Sequence, residues 1–89
     1  MKIKDGFVLE EVGGEYLAVA VGDRAGDFSG MVRMNGTGAF FWNKLSERDM
    51  TRRELIDAVL AEYEVDEERV TVDVIAFEEK LRSNGILDE

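Results

Sequence analysis

The pattern of apolar and polar positions changes once along the chain, near Asn35. Before that point, glycines separate short runs rich in β-branched and aromatic residues, whereas the remainder repeats its apolar positions at helical spacing. Phe7 to Val12 and Tyr16 to Val21 read as two strands of a hairpin, joined by Gly13-Gly14, which supply the positive φ angles of a tight turn. A third strand, Phe28 to Met34, follows the polar loop Gly22 to Asp27, long enough to reverse the chain. The expectation is a three-stranded antiparallel meander.

Three helices follow. The first starts at Asn35 or Thr37, either of which can cap it, gathers Phe40, Phe41, Trp42 and Leu45, and ends near Ser46 to Asp49. The second opens with a capping box, Thr51-Arg52-Arg53-Glu54, and carries Leu55, Ile56, Val59, Leu60 and Tyr63. The third opens at Asp66, with Glu67 and Glu68 favourably set against the helix dipole, and closes at Asn84-Gly85. Its buried stripe is Val70, Val74, Phe77 and Leu81, onto which Ile86 and Leu87 fold back. The fold class predicted is α+β: a three-stranded antiparallel sheet followed by three helices, an order like that of winged helix-turn-helix proteins. At 89 residues with no visible linker or repeat, residues 1–89 are expected to form a single domain.

Charge narrows the function. Eleven basic against twenty acidic residues give a net charge of −9, which disfavours nucleic acid and anionic membrane surfaces as partners. The helical part, residues 51–89, is the more acidic, with five basic and twelve acidic residues. A DNA-recognition helix there would oppose counterion release. No apolar run approaches the roughly 20 residues of a membrane span, and no secretory signal pattern follows Met1, so a soluble, cytoplasmic protein is expected.

Cysteine and histidine are absent, which removes disulfides, thiolate and imidazole metal ligands and the usual neutral-pH general base. Acids cluster at Glu10-Glu11, Glu62 to Glu68 and Glu78-Glu79, but adjacent carboxylates point apart and suit helix termini better than a catalytic pair or a calcium loop. Asn35-Gly36-Thr37-Gly38 lacks the lysine and βαβ setting of a phosphate cradle. No catalytic residue, metal site or cofactor is therefore predicted.

An open three-stranded sheet leaves edges that can pair with a peptide. The third strand is the candidate edge, since Ser29, Gly30, Met31, Val32, Arg33 and Met34 join a small residue to adaptable methionines. An ordinary half-buried strand with both methionines in the core fits the same residues, and the sequence leaves the two readings open.

Taken in order, Phe28-Ser29-Gly30-Met31-Val32-Arg33-Met34-Asn35, Thr37-Gly38-Ala39-Phe40-Phe41-Trp42, Asp73-Val74 with Phe77, and Leu81 with Gly85-Ile86-Leu87 resemble the PqqD family, whose fold is also called the RiPP recognition element. The resemblance runs roughly from Phe7 to Leu87. It implies a non-catalytic module that binds the leader segment of a ribosomally made precursor peptide as an added strand on the third strand, in the cleft beside the third helix. It also implies presentation of that peptide to a tailoring enzyme, commonly a radical SAM protein. Helical geometry then nominates Asp73, Ala76, Phe77 and Lys80 as lining the cleft, and the acidic surface suits a peptide with basic residues. A subunit that docks an enzyme without binding a leader peptide is the alternative. An open strand edge allows either a monomer or an edge-mediated homodimer.

Overall fold

The computed structural model describes residues 1–26 and 31–89. In chain order these form β1 (Lys2–Ile3), β2 (Phe7–Val12), β3 (Glu15–Ala20), a 3-10 turn (Gly22–Gly26), β4 (Val32–Met34), α1 (Gly36–Glu47), α2 (Arg52–Glu62), α3 (Glu67–Ser83) and β5 (Leu87–Asp88). The expected meander is present as β2-β3-β4, antiparallel throughout, with Glu11 opposite Tyr16 and Leu17 opposite Arg33. Gly13 and Gly14 both have positive φ at the hairpin tip, where side-chain-bearing residues would be strained. Of the expected third strand, 28–30 lie outside the described residues and Val32–Met34 pair with β3.

Two short strands add to this expectation. β1 and β5 pair antiparallel, Lys2 opposite Asp88 and Ile3 opposite Leu87, and the Lys4 amide donates to the Ile86 carbonyl at 2.9 Å. This second sheet tethers both ends of the described chain to the core.

The helix boundaries follow the caps. The Asn35 side chain accepts from the Gly38 amide at 2.9 Å and starts α1. Thr51 and Glu54 form the reciprocal capping box that starts α2. The Thr51 amide and the Arg48 guanidinium hold the Glu54 carboxyl below the usual carboxylate range. A depressed carboxyl stabilises the fold at neutral pH, and that contribution is lost as pH falls through its folded value. Asp66 caps α3, which ends where Gly85 takes positive φ and the Ile86 amide turns back to the Leu81 carbonyl at 2.9 Å.

The helices cover one another and one side of the sheet through a core centred on Phe41, Leu45, Leu55, Val74, Leu81 and Ile86. Phe41 meets Phe77 edge to face at 5.3 Å, joining α1 to α3. One charge of the expected acidic clusters is not on the surface: Glu78 is only 3% exposed. Arg52 satisfies it with a forked contact, Nε at 3.0 Å and Nη2 at 2.6 Å, which ties the start of α2 to α3.

Gly38 has a packing role as well as a capping one. A Cβ there would lie 2.9 Å from the Met34 Cβ, closer than carbon atoms pack, so its bare backbone lets the first turn of α1 sit on β4. Gly38→Ala is expected to cost about 1–3 kcal/mol of stability through this clash, read as a lower thermal midpoint. Gly36→Ala, two residues earlier with open space around its Cβ, serves as the control.

Candidate functional site

β4 is an edge strand: in the order β2-β3-β4 only its β3 side is paired among the described residues. Its burial alternates, with Val32 and Met34 packed into the core and Arg33 exposed. Both readings left open by the sequence are thus partly realised, since the strand lies at an edge while Met34 belongs to the core. Met31, just before it, is 64% exposed. Val32 and Met34 stand opposite Ala18 and Tyr16 of β3, with their side chains packed into the core. Ser29 and Gly30 lie outside the described residues.

Across from this edge runs α3, and between them opens a groove of about 180 Å³. Its lining includes Met34 from β4 and Asp73, Ala76, Phe77 and Lys80 from α3. The spacing explains the grouping, because positions 73, 76, 77 and 80 share one face of a 3.6-residue helix. Phe77 is buried and forms floor, while Ala76 and Lys80 are exposed at the wall. Asn35, Thr37, Gly38 and Phe41 complete the lining. Sequence reasoning assigned these four to capping and core, and the place of the Asn35 cap directly after Met34 was the signal that the start of α1 adjoins the end of β4.

One contact crosses the groove. Lys80 Nζ donates to the Arg33 carbonyl oxygen at 2.7 Å. That carbonyl therefore faces α3, away from β3, and the alternation of an antiparallel strand puts the Arg33 amide on the same edge. The groove thus offers a backbone donor and acceptor to an incoming strand, with the acceptor occupied by Lys80 in the unliganded chain. Charge is divided along it, Asp73 at one end and Lys80 two helical turns away. Asp73 lies 3.9 Å from Arg69.

Among the described residues no group of His, Cys, Asp or Glu is arranged to hold a metal ion, and no helix is long and apolar enough to cross a membrane. Among the described residues, the carboxyls displaced from their ordinary range are Asp49, Glu54 and Glu89, each lowered by a donor beside it and none of them lining the groove.

The chain is similar to two solved structures. One is TbiB1 in complex with the TbiA(beta) leader peptide, at 26% identity over 99% of this chain and 95% of that chain, with a TM-score of 0.73. The other is a lasso peptide synthetase B1 complexed with the leader peptide, at 16% identity over 96% and 93% of the two chains, with a TM-score of 0.69, a likeness of fold. No curated protein matches the chain. The family described as Coenzyme PQQ synthesis protein D matches residues 6–87, nearly the whole length, and the chain belongs to this PqqD family.

Proposed function

We propose that residues 1–89 act as one peptide-binding unit that recognises the leader segment of a ribosomally made precursor peptide and presents it to a tailoring enzyme, a radical SAM protein being the expected partner. The leader pairs as a further strand on the outer edge of β4 and lies against α3. The observation that carries this reading is the groove between those two elements, into which the Arg33 backbone points. Main-chain pairing supplies affinity that tolerates sequence variation, and the pockets beside it choose side chains. TbiB1, of like fold over nearly the same length, was solved with a leader peptide, which supports the assignment.

The role asks for binding and delivery, so Met31, Val32, Arg33, Met34, Asp73, Ala76, Phe77 and Lys80 contribute surface and none is catalytic; Ser29 and Gly30 extend the edge in sequence. Precursors are made by ribosomes, which places the partner in the cytoplasm. Lys80 guards the edge in the absence of peptide, as charged side chains commonly guard open strands against a second copy, and this favours a monomer.

A leader strand must displace Lys80 from the Arg33 carbonyl. Lys80→Met keeps the aliphatic stem and removes the competing donor, so it is expected to tighten leader binding about fivefold, the worth of one net hydrogen bond. Fluorescence anisotropy with a labelled leader reads this directly, and weaker binding would make Lys80 a contact instead of a guard.

The function itself is tested by calorimetric titration with the leader half and the core half of candidate precursor peptides drawn from the gene neighbourhood of this chain. Heat from the leader half alone is expected. Silence from both halves, with binding of the neighbouring tailoring enzyme intact, would identify an enzyme-docking subunit.

A further inference from the structure

The Arg33 side chain leaves β4 on the face opposite to the core. Val32 and Met34, before and after it, are packed inward, so the alternation of a strand sends Arg33 to the outer face of the sheet, where the side chain is 75% exposed. Leu17 of β3 stands directly opposite on that face, and Glu15 lies two residues along the same strand.

For an arginine in this chain, Arg33 is loosely held. Arg48, Arg52, Arg53 and Arg82 each hold a carboxylate oxygen at 2.6 to 2.9 Å. The nearest carboxylate to Arg33 among the described residues is that of Glu15, 3.7 Å from Nε, too far for a hydrogen bond. Its fork of donors is therefore open to solvent on an acidic protein.

The backbone sets where a partner arrives. The Arg33 carbonyl points out of the sheet edge to Lys80 Nζ, so Arg33 and Leu17 are a pair that exchanges no hydrogen bonds within the sheet. A strand added outside β4 then exchanges both of its hydrogen bonds at Arg33, with the facing Cα atoms about 5.5 Å apart. Directly opposite residues point to the same face. The peptide residue facing Arg33 thus sets its side chain beside the guanidinium, while the residues before and after it turn toward α3 and the groove.

We propose that Arg33 reads the leader at this one position and selects an aspartate or glutamate there. The inference rests on the strand-addition reading above and extends it to a residue of stated chemistry. A carboxylate matches the planar fork of the guanidinium, and opposite charges placed directly across two strands stabilise the pairing where like charges weaken it. The net charge of −9 works against acids elsewhere in the peptide, so a single acid facing Arg33 also fixes the register in which the strand is taken.

The probe is the candidate leader peptide from the gene neighbourhood that the wild-type chain binds, its register located by the amide–amide nuclear Overhauser contact to Arg33. The residue facing Arg33 is expected to be an acid. Arg33→Gln is expected to weaken this leader about threefold and Arg33→Glu about tenfold, as one cross-strand attraction is first lost and then reversed. Replacing the facing acid by lysine should invert the order, so that Arg33→Glu binds the lysine peptide more tightly than the wild-type chain does. A lysine two residues further along, on the same face, should give a smaller rescue. Any other residue facing Arg33, equal affinity of the three proteins for the leader, or equal rescue from both lysine positions would each overturn the selection and leave strand addition standing. A bound leader without the contact to the Arg33 amide, or no candidate that binds, removes strand addition on β4 itself, and the selection falls with it.

Discussion

Ala76→Arg is expected to reduce leader-peptide affinity by at least about 30-fold, roughly 2 kcal/mol, while the protein stays folded. Ala76 lies on the wall of the β4–α3 groove and is exposed, so its replacement costs no core contact. Arginine is nearly as good a helix former as alanine, which leaves α3 intact. What changes is space: a groove of about 180 Å³ cannot hold both a long guanidinium side chain and a peptide backbone. Ile75→Arg, on the same helix but outside the groove lining, adds the same charge and is expected to bind nearly as the wild type does. Loss of binding in both variants would point to charge and not to the groove.

Phe41→Ala is expected to cost about 3–5 kcal/mol, the range for a fully buried phenylalanine. The side chain is 1% exposed, packs edge to face on Phe77 and also lines the groove. A chain of this size loses roughly 4–8 °C of thermal midpoint per kcal/mol, so the melting temperature should fall by roughly 12 °C or more. Phe40, its half-buried neighbour in α1, gives a smaller loss when truncated. A Phe41 variant that melts within a few degrees of wild type would contradict the position given to α1.

Much of this architecture could be read from local signals. Gly13-Gly14, the Thr51-to-Glu54 box, Asp66 and Gly85 each act within a few residues, and the hairpin and helix limits fall where they predict. The grouping of Asp73, Ala76, Phe77 and Lys80 on one wall follows from the helical repeat alone. What lay beyond reach depends on distant pairs. β1 and β5 are two residues each, too short for an alternating pattern, and exist because Ile3 meets Leu87 from the far end of the chain. Glu78 looked like one more surface acid beside Glu79, and only Arg52, twenty-six positions away, makes its burial tolerable. Gly38 looked like turn chemistry, whereas the approach of Met34 decides its identity.

The measurement that bears most directly on the central claim is an amide chemical-shift titration of the labelled protein with candidate leader peptides drawn from its gene neighbourhood. Shifts concentrated on Met31 to Met34 and on α3 from Asp73 to Lys80, with slowed hydrogen exchange at the Arg33 amide, are the predicted result. A leader peptide that leaves β4 and that face of α3 unperturbed, whatever else it shifts, would contradict the account.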